Sequence, residues 1–326
     1  MSKRVTIECL AEWLQARDDI ALLGHVNPDG DAMGSILGIG CALSALGKRW
    51  VACLPGGTVK LYGFLMGADA IADPRDGLPF APKTALAVDV SEPERLGEAG
   101  AALFEGCEHR AVLDHHGTNP GFGQLYALDG SAAAAGEMAV ELIDCLGVEM
   151  SREMAECLFV AVSTDCGNFN YANTTPGALR AAARCVEAGA DVSRLTERLY
   201  RTRSVARTRL LAEVLSGFSL SEDGRVAWAR LTEAMLAETG ARREDSEGII
   251  NYLLEMEGVM IAVLATEQGG DTKISLRSRP PVSVARSVAM PLGGGGHDQA
   301  AGIHMALPLE AALEKVLERA ERALKA

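Results

Sequence analysis

Residues 19–31 read DIALLGHVNPDGD, and this stretch determines the expected fold. Its first half is an uninterrupted apolar run, which is typical of a strand buried on both faces of a parallel sheet. Its second half is a polar Pro-Asp-Gly turn that carries His25, Asp29 and Asp31. A buried strand is therefore expected to deliver an imidazole and two carboxylates to a loop at its carboxyl end.

Similar units recur along the first half of the chain. Residues 32–47 favour a helix, and the run RWVACLP that follows is the next expected strand. TALAVDV (84–90) and RAVLDHH (110–116) are further short strands, each with acidic or imidazole groups at its end. Alternating strands and helices predict a parallel sheet, whose ligands bind beyond the carboxyl ends of the strands. We therefore expect the polar residues of these segments to converge.

The rest of the chain predicts further helices and a second domain. Helices are expected at 131–146, capped by Ser131, and at 151–163, capped by Ser151, with Asp165 just beyond the second. Three strand-like runs and a closing amphipathic helix follow a helical region. The predicted fold class is α/β, with a parallel-sheet catalytic domain (1–190), a helical linker (191–220) and a smaller α/β domain (221–326).

Composition and charge limit the kind of function. Eight cysteines are scattered without a C-x-x-C pair, which indicates reduced thiols in a cytoplasmic protein and argues against a zinc ribbon or a secreted scaffold. The sequence shows neither a signal peptide nor a membrane segment. The net charge is −13 and no long Lys/Arg run is present, so long nucleic acid is excluded and any polyanionic substrate has to be short.

Asp and His side chains from four segments are the candidates for chemistry. A lone Asp at a strand end is more often a cap or turn residue than a ligand. A histidine with two alternate carboxylates, and three ionisable residues in a row, are harder to explain as turns alone. Imidazole and carboxylate without thiolate suit manganese, iron or a similar divalent ion. The candidates are His25, Asp29, Asp31, Asp89, Asp114, His115, His116 and Asp165.

Five motifs, in this order, resemble those of the DHH phosphoesterases. The resemblance covers nearly the whole chain, and the last motif is similar to the glycine motif of the DHH-associated domain. The two-domain length is similar to the stand-alone nano-RNase/pAp phosphatase type. One segment departs from the family pattern: Cys166 stands where a threonine is expected, and the residues that follow it shortly after, 168–170 (NFN), include no basic residue where one is expected. The motifs are HVNPDGDAMGS (25–35), Asp89 after an apolar strand, DHH (114–116), TDCG (164–167) and GGGGHDQAAG (293–302).

The resemblance implies two divalent metal ions, with manganese the first choice. His116 is implied to contact the substrate phosphate or to protonate the leaving oxygen, and Asp114 to orient a ligating imidazole. Asp89 is implied to bridge the two ions. The implied ligands are His25, Asp29 and Asp89 for one ion, and Asp31, Asp89, His115 and Asp165 for the other.

The glycine run near the C-terminus has two interpretations. Glycines let backbone N–H groups approach an anion closely, but a flexible connecting loop is the plainer explanation. Arg277 in the strand-like run ISLRS would add a guanidinium that grips phosphate. The resemblance implies substrate contacts by Arg277, Ser278, Gly294, Gly295, Gly296 and His297.

These observations predict a metal-dependent phosphoesterase. The expected substrates are short oligoribonucleotides or 3′-phosphoadenosine 5′-phosphate (pAp), attacked in the cleft between the domains by a hydroxide formed between two metal ions. A homodimer is compatible with the sequence.

Four other functions share some of these sequence features. A cyclic or linear dinucleotide phosphodiesterase, acting on cyclic di-AMP or pApA, shares every motif. A non-catalytic nucleotide-binding module would not need the entire ligand set. A processive exonuclease would need further domains and a basic groove. The inorganic pyrophosphatases of the family lack the glycine-rich element.

Overall fold

The computed structural model describes residues 2–325. The chain divides into two compact units, with the boundary between Thr202 and Arg203. This boundary falls inside the predicted helical linker (191–220), so residues 191–202 belong to the first unit and residues 203–220 to the second. The expected α/β class, with a parallel sheet in the first unit and a second, smaller sheet domain, is confirmed.

Six parallel strands form the sheet of the first unit. They are β1 (Lys3–Arg4), β2 (Ile20–Leu23), β3 (Trp50–Cys53), β4 (Thr84–Val88), β5 (His109–Asp114) and β6 (Leu125–Leu128). Their order across the sheet is β1-β6-β5-β4-β2-β3. All four residues of β2 and all five of β4 are buried, as the apolar runs predicted.

Seven α-helices of the first unit lie within the described residues. They are α1 (Ile7–Gln15), α2 (Gly30–Ala45), α3 (Gly97–Gly106), α4 (Ala135–Cys145), α5 (Arg152–Asp165), α6 (Pro176–Glu187) and α7 (Val192–Thr196). Ser151 caps α5 as predicted, with its side chain accepting a hydrogen bond from Met154 N.

The prediction that Ser131 caps a helix over 131–146 is wrong. The helix α4 begins at Ala135, and Ser131 instead lies in a turn in which its N–H and hydroxyl both donate to Asp129 Oδ1. The first N–H groups of α4 donate to the carboxylate of Asp31, which belongs to another helix. A partner distant in sequence therefore replaces the local cap.

The two faces of this sheet carry different helices. Ile20 and Leu22 of β2 pack in the same core as α1, α2, α4 and α5. Ala21 and Leu23 point to the other face, where Phe104 of α3 is buried. The helix after β2 and the helix after β4 thus cover opposite faces, although the two strands are neighbours. A crevice for ligands is expected where successive connections diverge in this way, at the carboxyl ends of β2 and β4.

The second unit is a mixed six-stranded sheet. Its order is β11-β12-β10-β9-β8-β7, in which β8 and β9 are parallel and the other pairs antiparallel. The strands are β7 (Ser219–Leu220), β8 (Val226–Leu231), β9 (Ile261–Gln268), β10 (Asp271–Ser278), β11 (Gly295–His297) and β12 (Ala300–Met305); the helices are α8 (Val205–Ser216), α9 (Glu233–Thr239), α10 (Ile249–Leu254) and α11 (Leu309–Ala323).

Each face of this second sheet has its own core. Ile274 and Leu276 of β10 pack with α11 on one face. On the other face, Ala262 and Leu264 of β9 pack with α8 and α10. All eight cysteines are free thiols. No helix between residues 2 and 325 has both the length and the apolar character needed to cross a membrane.

Candidate metal centre

The loop after β2 places two predicted ligands at the carboxyl end of the sheet. His25 is buried, and its Nε2 lies 3.9 Å from Asp29 Oδ1. Asp29 is the N-cap of α2 and accepts hydrogen bonds from the N–H groups of Asp31 and Ala32 through the same oxygen. These two hydrogen bonds occupy Oδ1 of the Asp29 carboxylate, so Oδ2 is available to another partner.

Asp31 is completely buried, and three hydrogen bonds hold its carboxylate. The Ser35 hydroxyl and the Gly136 N–H donate to Oδ1 at 2.9 and 2.8 Å, and the Ala135 N–H donates to Oδ2 at 2.6 Å. Two of these donors are orphan N–H groups at the start of α4, where a negative charge is stabilised. These hydrogen bonds give both oxygens of the buried carboxylate a partner.

Asp89 follows β4 and lies between two imidazoles. Its Oδ2 is 3.4 Å from His25 Nε2, and its Oδ1 is 3.4 Å from His115 Nε2. The residue is 3% exposed, and Oδ1 has no hydrogen-bond partner within the described part of the chain. A buried carboxylate oxygen without a partner is costly, so this oxygen calls for a cation.

The DHH residues end β5 and begin the loop after it. His115 Nε2 lies 3.7 Å from both Asp31 Oδ2 and Asp165 Oδ2. His116 is 41% exposed, and its Nδ1 lies 2.7 Å from Asp114 Oδ1. His115 therefore points into the acidic cluster, while His116 lies at its edge with a ring exposed to solvent.

The structure brings all six predicted metal ligands together. Each of two triads has ligand atoms within 4.8 Å of one another: His25, Asp29 and Asp89 form one, and Asp31, His115 and Asp165 form the other. Asp89 also forms such a group with His115 and His116. One oxygen of Asp89 faces His25 and the other faces His115, so Asp89 contacts both groups of side chains.

The pKa values of the His and Asp side chains in this cluster are shifted because many ionisable groups lie close together. Burial alone would lower the pKa of His25, but its contacts with Asp29 and Asp89 outweigh burial and raise that pKa to about 10. The same balance, with Asp89 and Asp31 as partners, raises the pKa of His115 to about 10. Burial raises the pKa of Asp165 to about 6 and that of Asp31 well above its usual range. In the absence of metal ions, bound protons therefore offset the negative charge of this cluster.

Sequence reasoning missed two residues that support these side chains. Asn119 is buried and donates through Nδ2 to Asp114 Oδ2 at 2.7 Å and to the Val90 carbonyl at 2.9 Å. Arg95 places its Nη2 3.0 Å from His25 Nδ1. Neither residue belongs to a motif with a recognisable spacing, so nothing in the sequence marked them.

Two of the predicted substrate contacts in the second unit share one face of the sheet. Arg277 on β10 is paired with Ala300 on β12, which is paired with His297 on β11. Directly paired residues point to the same side, so Arg277 and His297 lie on a common face. Ser278 points to the opposite side; it is buried, and its hydroxyl donates to the Val282 carbonyl. The structure does not bring Ser278 together with the other two.

The three glycines predicted as substrate contacts differ in their surroundings. A Cβ on Gly294 would lie 2.3 Å from the Gly302 carbonyl oxygen, and one on Gly296 would lie 2.4 Å from that of Ala300. These two glycines therefore permit close strand pairing. Gly295 has open space around it within the described residues. Of these three glycines, only Gly295 therefore leaves room for a ligand where a side chain would lie among the described residues.

Known proteins resemble this chain along nearly its whole length. The model of the DHH family, N-terminal domain, matches residues 19–162, and that of the DHHA1 domain matches residues 223–326. The bifunctional oligoribonuclease and PAP phosphatase NrnA of Thermus thermophilus is 40% identical over 313 residues, covering 95% of this chain and 91% of that protein. The Bacillus subtilis protein of the same name is 26% identical, covering 90% and 91%. The crystal structure of an exopolyphosphatase-related protein from Bacteroides fragilis has a TM-score of 0.89 at 26% identity, covering 97% of this chain and 95% of that one.

Proposed function

This chain belongs to the DHH family of phosphoesterases, and we propose that it hydrolyses short oligoribonucleotides and pAp with the help of two divalent metal ions. The observation that carries the proposal is the position of Asp89, whose two oxygens face two separate groups of ligands. The name of the Thermus relative supports the choice of substrates. Free thiols in all eight cysteines favour a reducing compartment such as the cytoplasm.

The side chains fit a pair of divalent cations. The buried, unpartnered oxygen of Asp89 is a position at which a cation would restore the missing interaction. The donor atoms are imidazole nitrogens and carboxylate oxygens, a set that suits manganese. His25, Asp29 and Asp89 would hold one ion, and Asp31, Asp89, His115 and Asp165 the other. Bound ions of this kind supply Lewis acidity, which activates water and neutralises phosphate charge.

His116 has the surroundings of a proton donor. Its hydrogen bond with Asp114 outweighs burial and raises the pKa of the ring, which stabilises the protonated form. Asn119 holds the other oxygen of Asp114, which fixes the carboxylate and thereby the orientation of the imidazole. In the proposed reaction, the exposed side of the His116 ring gives a proton to the leaving oxygen.

The second unit contributes substrate contacts in this proposal. Arg277 and His297 share a face of the sheet, and a guanidinium suits a phosphate oxygen pair. Gly295 lies two residues before His297 on the same strand and leaves the backbone open. Recognition of a second phosphate by these groups would favour pAp and short oligonucleotides over a simple phosphomonoester.

A substrate panel tests the proposal. The purified chain is treated with chelator, supplied with manganese or magnesium, and assayed with pAp, di- to decaribonucleotides, linear pApA and cyclic di-AMP. We expect manganese to restore hydrolysis of pAp and of di- to pentanucleotides, with slower turnover of the decamer. The net charge of −13 supports this preference for short substrates.

Two results would contradict the proposal in different ways. Full activity in the presence of chelator would remove the metal ions from the reaction. Turnover restricted to cyclic di-AMP would replace the proposed substrates with a cyclic dinucleotide while leaving the metal centre in place.

A further inference from the structure

A cavity of about 680 Å³ in the first unit is not explained by the metal centre. It opens on the face of the sheet that carries α3. Five apolar or small residues form much of its wall: Val26, Pro55, Pro74, Leu96 and Ala99. None of the six proposed metal ligands lines it.

The cavity and the metal centre are built from the same two loops. Val26 and Asn27, which line the cavity, stand between His25 and Asp29 in the chain. The Val26 N–H donates to the Arg95 carbonyl at 2.7 Å, so the loop after β2 is tied to the segment that precedes α3. The guanidinium of Arg95 lies 3.0 Å from His25. The cavity therefore adjoins the loop that carries His25 and Asp29.

The shape of this wall depends on a glycine. Gly97 has φ +68°, and a Cβ there would lie 3.2 Å from Val26 Cγ1 and 3.6 Å from Pro55 Cγ. A side chain at this position would both strain the backbone and enter the space between Val26 and Pro55. The absence of a side chain keeps that part of the cavity open.

The polar groups of the cavity favour a nucleoside over a second phosphate. Arg75 is engaged by Asp73 through several hydrogen bonds, so it is not a free cation. Glu98 is an exposed carboxylate, which repels anions. The exposed amide of Asn27 makes no hydrogen bond with any described residue. Apolar walls with a free amide and a carboxylate match a base and a ribose, which bury apolar faces and present donors and acceptors at their edges.

We propose that this cavity binds the base and ribose of the nucleotide whose phosphate is hydrolysed at the metal centre. The inference rests on the proposed function and adds a specificity subsite to it. In this subsite, Ala99 and Asn27 determine the affinity for nucleotides. Glu98 would accept a hydrogen bond from an amino group on the base.

Filling the cavity provides the test. Ala99→Phe places a ring in the space, whereas Ala183→Phe makes the same change at an exposed position of α6 and serves as the control. KM is measured for pAp, for linear pApA and for bis(p-nitrophenyl) phosphate, which has no nucleoside. For Ala99→Phe we expect KM for the two nucleotides to rise about tenfold relative to KM for bis(p-nitrophenyl) phosphate. Calorimetric binding of AMP to the manganese-loaded protein should weaken by a similar factor.

A second variant guards against a folding defect. Asn27 has φ +54°, which glycine tolerates, so Asn27→Gly removes the amide without strain. It should weaken AMP binding by a smaller factor than Ala99→Phe. Unchanged AMP binding in both variants would overturn the subsite. If the unaltered protein hydrolyses no nucleotide at all, the proposed function itself fails, and the two failures are thereby distinguished.

Discussion

Asp89 adopts a left-handed backbone conformation, with φ +59°. Non-glycine residues rarely adopt it, and such strain costs about 1–3 kcal/mol where it occurs. The Asp89 N–H donates to the Leu113 carbonyl on the neighbouring strand, which holds the residue in place. Asn27, in the adjacent loop, has a similar φ of +54°. Strained backbone at two points of one site is consistent with a functional constraint on both.

The backbone of Asp89 decides how its role should be tested. Asparagine tolerates a left-handed conformation better than alanine, so Asp89→Asn removes the charge with the least disturbance. We expect turnover of pAp to fall by at least about a thousandfold, because metal binding supplies several kcal/mol of transition-state stabilisation. Steady-state kinetics and manganese titration measure the effect. Asp69→Asn, at an exposed residue, is the matched control; near-normal kinetics in Asp89→Asn would mean that Asp89 does not bridge.

The raised pKa values of His25 and His115 predict that metal binding depends on pH. Their pKa values of about 10 mean that both rings carry a second proton at neutral pH in the absence of metal. A ligating nitrogen has to lose its proton, so affinity for manganese should rise with pH, and the two rings should release about two protons on binding, with a further contribution from Asp31, whose pKa is raised by burial. Calorimetry in buffers with different heats of ionisation counts these protons. Heats that do not depend on the buffer would contradict the assignment of His25 and His115 as ligands.

The same pKa values predict the stability of the chelated protein. Both folded pKa values lie above the ordinary value of 6.5, so each protonated ring stabilises the fold fully below about pH 6.5. This stabilisation is lost as the pH rises through 10. The free energy of unfolding with chelator present should therefore fall between pH 7 and pH 10, as measured by denaturant titration. Manganese should reduce the decline, because the metal replaces the protons.

The proton-donor role of His116 predicts a dependence on the leaving group. For His116→Ala we expect kcat to fall roughly 10²–10⁴-fold with a nucleoside leaving group. The loss should be much smaller with p-nitrophenolate, which leaves without a proton. Comparison of pApA with bis(p-nitrophenyl) phosphate measures this difference. An equal loss for both substrates would assign His116 to phosphate binding instead.

At the scale of elements, the ligands are held by close packing among three helices. Asp31 on α2 is bonded to the start of α4, and Asp165 ends α5. Glycines allow these helices to approach each other closely. A Cβ on Gly34 of α2 would lie 2.3 Å from the Cys157 carbonyl oxygen and 2.9 Å from the Ala161 nitrogen, both in α5. The distance between two segments that carry proposed metal ligands thus depends on the absence of one methyl group.

Gly34→Ala should consequently destabilise the first unit. Because the clash is with backbone atoms, relief requires the helices to separate, at a cost of about 1–3 kcal/mol. Gly106→Ala is the control, since a Cβ at Gly106 has no described atom within 4 Å and the change should be neutral or slightly stabilising. Thermal and urea unfolding compare the two variants. Equal midpoints would show that α2 and α5 have room to adjust.

At the scale of the whole molecule, the two units have separate cores and different chemistry. The acidic cluster belongs to the first unit, whereas Arg277 and His297 present cationic or hydrogen-bonding groups on one face of the second sheet. A metal-loaded acidic site and a guanidinium both attract phosphate. Substrates with two phosphates suit a protein that carries both.

Replacing Arg277 should therefore affect recognition more than chemistry. For Arg277→Ala we expect KM for pAp to rise about ten- to a hundredfold, since a charged hydrogen bond contributes about 1.5–3 kcal/mol, while kcat changes little. Arg319→Ala, on α11, is the control. Steady-state kinetics with pAp and bis(p-nitrophenyl) phosphate separate the two effects. An unchanged KM for pAp in Arg277→Ala would remove this residue from recognition.

The sequence by itself determined the parallel sheet of the first unit and identified the side chains that meet at its edge. Short apolar runs that end in Asp or His are local patterns, and parallel strands bring their carboxyl ends to one side whatever lies between them. His25, Asp89 and His115 could be predicted for this reason. The start of α4 at Ala135 could not, because its first N–H groups are bonded to Asp31, about a hundred residues away in sequence.

Only the tertiary structure decided which groups support that edge and which face each remaining side chain occupies. It placed Asn119 on Asp114, Arg95 on His25 and the open cavity beside Val26. It also turned Ser278 into the core. These contacts depend on distances between segments far apart in the chain, which packing sets and no local pattern of residues records.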